Sequence, residues 1–486
     1  MRQRFEQQLD LGLIPIAEVK IPLRSRDELP PVLAGLQHIF VTPELNRKVF
    51  AILEDRVCRG KKKTGRPGMD LWEILVLGVV RLALDCDYDR LEQLANYEKL
   101  IRSILGVETT KFGTHEKVYP YQTIRDNVTL LDEETISQIS ALVVEAGHRV
   151  VKKKEDQGLK IKADTYVLET NVHYPTDTNL LWDSGRKCLD VMQYLSEEGG
   201  LDGWRKHRRW RKDMKNAYRE VTRASHGGGK NKETRIKGAV MAYLAVARAL
   251  DKKITWSLEN YATTEIKIVA AMISLDYYQE MLRKHIDLVD RRLLKGEGIP
   301  HEEKVFSIFE PHSEWLAKGK AGKPVEIGHK VLIATDQYQF ILHHQVIESQ
   351  SDYHLAVPLA KQLVEKYKKI ESLSFDKGFY SKDNKAAIAD MINQVIMPKK
   401  GRLSEADKEE ESSKTFKLLK RKHSAVESNI NQLESNGLNR CPDKGITGYK
   451  RYTAFGVLSY NLHHLGVHLL EAQRNKARKD AARKAA

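Results

Sequence analysis

Cysteine is scarce in this chain of 486 residues: Cys58, Cys86, Cys188 and Cys441 stand far apart, with no Cys-x-x-Cys pair. That scatter argues against a disulfide framework or a cysteine zinc site and suits a reducing compartment. No apolar run reaches the roughly 18 residues a spanning helix needs, so no membrane partner is expected. The first stretch, MRQRFEQQLDLGLIPIAEV, breaks its apolar residues with acids and lacks the hydrophobic region of a signal peptide. The expected location is therefore the cytoplasm. The glycine-rich segment HGGGKNK lacks the spacing and the Ser/Thr of a P-loop, which excludes an NTPase. Acids are also in deficit: 66 Asp and Glu against 81 Lys and Arg leave a net charge of +15. Such an excess favours a polyanionic partner, because phosphate contacts are made by Lys and Arg.

The length suffices for two to four domains. Residues 1–45 form an N-terminal segment of short helices broken by prolines. Residues 46–158 are expected to be a helical domain. In it a basic arm, CRGKKKTGRPG, precedes an apolar helix from Leu71 to Leu84, an aspartate-rich turn, and a second helix led by Leu91 and Leu94. Helix, short turn, helix beside a basic arm suits a helix-turn-helix-like DNA-binding unit, and equally a plain helical bundle. At residue 159 the period changes: LKIKADTYVLETNVHYP alternates and is rich in β-branched residues, which predicts a strand. Long helical patterns occupy 184–300. Strands are predicted again at KVFSIFEP, HKVLIATD and FILHHQVIES, the last two joined by a hairpin turn in which Asp336 is structural. A helix, a strand ending at Asp376, a helix, a short strand at QVIMPK and a helix through HSAVESNINQLESNGL follow, then a basic tail at 471–486.

Three acids occupy special places in this order. Asp164 lies within the first strand, Asp376 ends the strand after the hairpin and helix, and Glu427 flanks the apolar stripe Val426, Ile430 and Leu433 of the later helix. Glu434 is a rival third acid on the same flank. Strand, hairpin, helix, strand, helix, strand, helix is the element order of an RNase H-like fold. The expected fold class is thus α/β: an RNase H-like mixed sheet at 159–183 and 301–470, preceded by the all-α helix-turn-helix-like domain. The interval from Asp164 to Asp376 far exceeds the roughly 60–80 residues such elements need, so a mostly helical insertion at 184–300 is expected. Gathered carboxylates repel one another and suit a hard divalent cation, and two such ions can clamp the attacking and leaving oxygens of a phosphodiester.

The segments ADTYVLETNVHYPTDTNLL, SFDKGFYS and HSAVESNINQLESNGL, with GRPGMDLWEILVLGVVRLALDCDYDRLEQLANYEKLIRSILG, resemble the bacterial insertion-sequence transposases that have an RNase H-like DDE core. The resemblance covers roughly residues 60–110, 160–183 and 325–465. It implies Asp164, Asp376 and Glu427 as a triad holding Mg²⁺, with Mn²⁺ as a substitute. It also implies binding of terminal inverted repeats and target DNA, end cleavage, and attack of the freed 3′-OH on the target. A homodimer or higher oligomer on DNA, in a bacterial cytoplasm near the nucleoid, follows from joining two ends. Related patterns place Arg or Tyr before the Glu and a Lys seven residues after it; here those sites are His423 and Glu434. Two alternatives are an RNase H-like nuclease or resolvase without strand transfer, and a DNA-binding regulator without catalysis.

The insertion carries GWRKHRRWRKDMKNAYREVTRASHGGGKNK. Arg205, Lys206, Arg208, Arg209, Arg211 and Lys212 surround Trp210, a mixture suited to phosphate contact and base stacking. Trp210 is alternatively a core residue of a solvated basic helix. Arg66 in the arm, Lys377 beside Asp376, and His423 complete the expected DNA contacts.

Overall fold

The computed structural model describes residues 14–60, 68–107, 117–259, 261–317 and 324–485. The chain is α/β and predominantly helical, and its described residues form one mixed seven-stranded sheet. It divides into two compact units: residues up to Asn171 together with those from Leu316 onward, and Val172–Trp315.

The first unit begins with α1 (Leu29–Val41), α2 (Pro43–Cys58), α3 (Leu71–Ala83), α4 (Tyr88–Tyr97), α5 (Lys99–Leu105), α6 (Tyr121–Val128) and α7 (Glu133–Val150). Every residue of α3 is buried, because its sequence is apolar on all faces. Two of its polar groups find partners inside the core. Glu73 closes a capping box with Asp70 and accepts from the Tyr119 hydroxyl at 2.7 Å, and the Trp72 indole N–H donates to the Ile104 carbonyl at 2.7 Å. Sequence pattern puts a domain boundary at 158, but helices and strands on both sides of it share one hydrophobic core. A helix with no polar face is unstable except at the centre of such a core, and α3 supplies it.

β1 (Leu159–Thr170) is the centre of the sheet. The chain then enters the second unit, where α8 (Asp177–Glu197), α9 (His207–His226), α10 (Lys232–Glu259) and α11 (Ile266–Val289) build a separate core around Leu189, Met192, Trp204, Tyr243 and Leu250. The unit is wider than the expected 184–300 because α8 starts at Asp177, where Thr176 forms a capping box with Asn179. The predicted strand KVFSIFEP does not form. The Ser307 hydroxyl oxygen accepts from the N–H groups of Phe309 and Glu310, which turns the backbone there.

The boundary between the units falls within β2 (Glu314–Ala317), and the first unit continues in β3 (Val325–Thr335), β4 (Ile341–Ile347), α12 (Asp352–Lys366), β5 (Ile370–Phe375), α13 (Lys382–Ala389), β6 (Gln394–Ile396), α14 (Glu405–Ser412), α15 (Lys414–His423), α16 (Ala425–Leu433), β7 (Arg440–Cys441) and α17 (Gly445–Ala485). The strand order is β2-β3-β1-β5-β6, with β4 on β3 and β7 on β1. β1, β3 and β4 run antiparallel in sequence, whereas β5 and β6 run parallel to β1. Asp336 shapes the β3–β4 turn: one carboxylate oxygen accepts from Tyr338 and Phe340 N–H groups, and the other meets His148 Nε2 at 2.6 Å. The expected basic tail continues α17 as far as Ala485, and α17 packs on α1 so closely that a Cβ at Gly466 would collide with the Pro31 carbonyl oxygen. Among the described residues no helix is long and apolar enough to cross a membrane.

Candidate active site

Asp164 and Asp376 are brought together by strand register. Ala163 on β1 stands opposite Phe375 on parallel β5, so the next residue along each strand is one of the two acids. β5 ends there: Asp376 is extended and its carbonyl accepts from Phe379 N–H, starting a single 3₁₀ turn through Lys377–Phe379. Its carboxylate makes no capping bond and is exposed. Glu427 lies in the first turn of α16, which Val426, Ile430 and Leu433 bury toward the sheet, and its carboxylate is exposed on the flank. Among the described residues neither Asp376 nor Glu427 accepts a hydrogen bond or forms an ion pair through its side chain.

The acids act on one another. Burial is the largest influence on Asp164 and pushes its carboxyl up; the Thr165 N–H, donating at 2.7 Å, opposes this; the charges of Asp376, Asp352 and Glu427 push it further, to about 7. Glu434 sits in the turn after α16, half-buried, and its charge is felt by Tyr166.

Asp352 is not singled out by sequence, where it serves only as the start of a helix. It occupies the first turn of α12, 2.8 Å from Lys330 Nζ, and a Cβ at Gly378 would approach its carboxylate to 3.1 Å. The loop after Asp376 therefore rests against it. A helix-opening acid carries no distinguishing sequence signal, since acids are common there for dipole reasons.

Beneath the acids lies a polar cluster that includes His423, expected from sequence as a DNA contact. Ser374 pairs with Lys162 across the strands, and its hydroxyl donates to the Ile161 carbonyl at 3.3 Å and meets His423 Nδ1 at 3.0 Å. A hydroxyl already donating to a carbonyl accepts from Nδ1–H, which leaves Nε2 as the acceptor nitrogen. That Nε2 is buried without a partner. Burial lowers the ring to about 4, so His423 is neutral at pH 7, and burial likewise lowers the Lys162 ammonium.

Lys377 is exposed beside Asp376. The other expected DNA contacts belong to the helical unit: Arg205, Lys206, Arg208, Arg209 and Lys212 are exposed, while Arg211 is half-buried and bound to Asp190. Trp210 is half-buried against that unit's core, and Trp204 is 1 % exposed with its indole N–H on Ser257 Oγ at 3.0 Å. Arg66 lies outside the described residues.

Oxygen-only donors suit a hard cation such as Mg²⁺, and a divalent charge would offset the repulsion that adds to burial in raising Asp164. As the side chains stand, no three His, Cys, Asp or Glu among the described residues could hold a metal ion. The two exposed acids are the ones with no hydrogen bond to fix their rotamers. No protein-family model, curated protein or solved structure matches the chain.

Proposed function

We propose that the chain is a metal-dependent DNA transposase of the DDE type, built on an RNase H-like core. The observation that carries this reading is the placement of Asp164 on β1, Asp376 at the end of adjacent parallel β5, and Glu427 in the first turn of α16, with Asp164 pushed up by its burial and further by the charges of Asp376, Asp352 and Glu427. The sheet supports it: three antiparallel strands, β1, β3 and β4, extended by parallel β5 and β6, agree with an RNase H-like order.

In this mechanism Asp164, Asp376 and Glu427 would hold Mg²⁺. When bound, the ions supply an activated attacking oxygen and neutralise charge developing on the phosphodiester. The protein's own groups do the rest. Asp164, pushed up to about 7 by burial and the neighbouring acids, would give up its proton on loading of the site. Ser374 holds the His423 ring with Nδ1–H committed, so Nε2 faces its surroundings only as an acceptor. Lys377 places a positive charge one residue from Asp376, where a DNA phosphate would approach. The basic residues of α9 and its approach hold duplex DNA through phosphates, a salt-sensitive and sequence-independent contribution.

The test is a reaction of the purified chain with Mg²⁺ and linear DNA ending in the sequences that flank its reading frame. Cleavage at those ends followed by joining to a target plasmid is expected. Cleavage without joining would favour a nuclease or resolvase, and specific binding without any cleavage would favour a regulator.

A further inference from the structure

The helical unit holds a cavity of about 810 Å³ that the acid site does not use, lined wholly by residues between Tyr174 and Trp315. One wall is a run of four rings. Tyr174 meets Trp315 edge-on at 5.6 Å, Trp315 lies 5.6 Å from Phe306 at 34°, and Phe306 lies 5.3 Å from His301 at 40°. Tyr174, at the outer end, is 61 % exposed. A large ring left open to water at the end of an aromatic wall is a face available to a flat ligand.

The charge on the lining has one sign in excess. Asp177 is neutralised by Arg292 at 2.8 Å, whereas Lys304 is exposed and has no ion-pair partner among the described residues. His226, at the end of α9, also lines the cavity and opens the loop HGGGK, in which Lys230 is exposed. The volume lies in the roughly 300–1,000 Å³ range of small-ligand sites. A simple anion would leave the aromatic wall without use, and an apolar ligand would leave Lys304 without use. An aromatic base joined to a phosphate engages both, by stacking and by charge.

We propose that this cavity binds one unstacked nucleotide, with its base on the Tyr174–Trp315–Phe306 wall and its phosphate toward Lys304. A paired base in a duplex cannot enter, since both its faces are already covered. The nucleotide is either free or part of an unpaired DNA strand. The proposal is independent of whether the acid site cleaves DNA.

The full chain is titrated with a single-stranded oligothymidylate, a duplex of equal length, thymidine monophosphate and inorganic phosphate. Trp315→Ala is expected to weaken oligothymidylate binding about 5- to 150-fold, the range for loss of one stacked base, and to leave duplex binding unchanged. Trp315→Phe should recover most of the loss. Lys304→Gln should flatten the salt dependence for single strands by a slope of about 0.7. Tyr174→Ala, at an exposed position, repeats the test should Trp315→Ala lower the melting temperature. Competition by thymidine monophosphate identifies a free-nucleotide site; binding of the strand without that competition identifies a strand site. Equal weakening for duplex and single strand, no weakening in any variant, or displacement by inorganic phosphate as effective as by the nucleotide would overturn the proposal.

Discussion

Asp164 and Asp376 follow the Ala163–Phe375 pair on neighbouring parallel strands, and burial, with the charges of Asp376, Asp352 and Glu427 added to it, raises the carboxyl of Asp164 to about 7. An acid whose folded pKa lies above its unfolded value favours the folded state in its protonated form. Stability is therefore lost as pH rises from about 4 to about 7. Asp164→Asn removes this loss. The variant should match wild type near pH 4 in thermal melts and exceed it increasingly up to pH 7, with a constant gap above. A gap that does not open with pH would show that Asp164 is not under this strain.

The same relationship predicts a response to metal. Mg²⁺ should raise the melting temperature of the wild type at pH 8 through binding to the folded state, and raise that of Asp164→Asn little. EDTA should reverse the effect. An equal rise in both proteins would place the cation elsewhere.

In cleavage assays Asp164→Asn, Asp376→Asn and Glu427→Gln should each abolish strand cutting and spare end binding, because each keeps shape and removes a charged ligand. Glu434→Gln should cut normally, since Glu434 lies past the end of α16, where its charge acts on Tyr166. The opposite pattern for the two glutamates would make Glu434 the third acid.

Asp443 is shared by two guanidinium groups inside the first unit, Arg81 at 2.7 Å and Arg451 at 3.2 Å, all nearly buried. Asp443→Asn leaves Arg81 without its counter-charge, between the rings of Tyr88 and Tyr452. A loss of about 3–5 kcal/mol is expected in denaturant titration. A loss under about 1 kcal/mol would mean that water reaches the site.

In the helical unit His173 Nε2 meets Asp183 at 2.6 Å. The hydrogen bond to Asp183 raises His173; Asp183, despite its burial, is lowered by the bonds from His173 and Arg186. The histidine's contribution is complete below about 6.5 and fades as pH rises through its raised value. The aspartate's is complete above about 4 and fades as pH falls. Since the imidazole is half exposed, the pair is worth on the order of 0.5 kcal/mol. His173→Gln should cost most between about pH 4 and 6.5, and little at pH 9. A cost independent of pH would reduce His173 to a packing role.

Trp204 and the charges beside it separate cleanly. Trp204→Ala removes a fully buried ring and should cost about 3–5 kcal/mol. Arg208→Ala, Arg209→Ala and Lys212→Ala together, all exposed, should leave melting unchanged. They should also flatten the salt dependence of duplex binding by about 0.9 for each DNA phosphate no longer neutralised. Unaltered salt dependence would remove α9 from the DNA surface.

Local periodicity in the sequence was enough for β1, the β3–β4 hairpin, β5 ending at Asp376, and the apolar stripe of α16 beside Glu427. Alternation and helical spacing are set by neighbouring residues, so they are visible without the fold. Tertiary packing decided the rest. α3, legible as an apolar helix, takes its place at the centre of a core common to the helices and the sheet because it has no polar face to leave outside. The KVFSIFEP segment has strand-like composition, but a serine hydroxyl reaching two N–H groups outweighs that weak preference. Asp352 gains its meaning only when the loop at Gly378 is laid against it, and Trp204 and Trp210, six residues apart in one basic segment, are assigned to different depths by the helices around them. Burial and charge coupling depend on what the folded chain brings near, and no pattern along the sequence carries those distances.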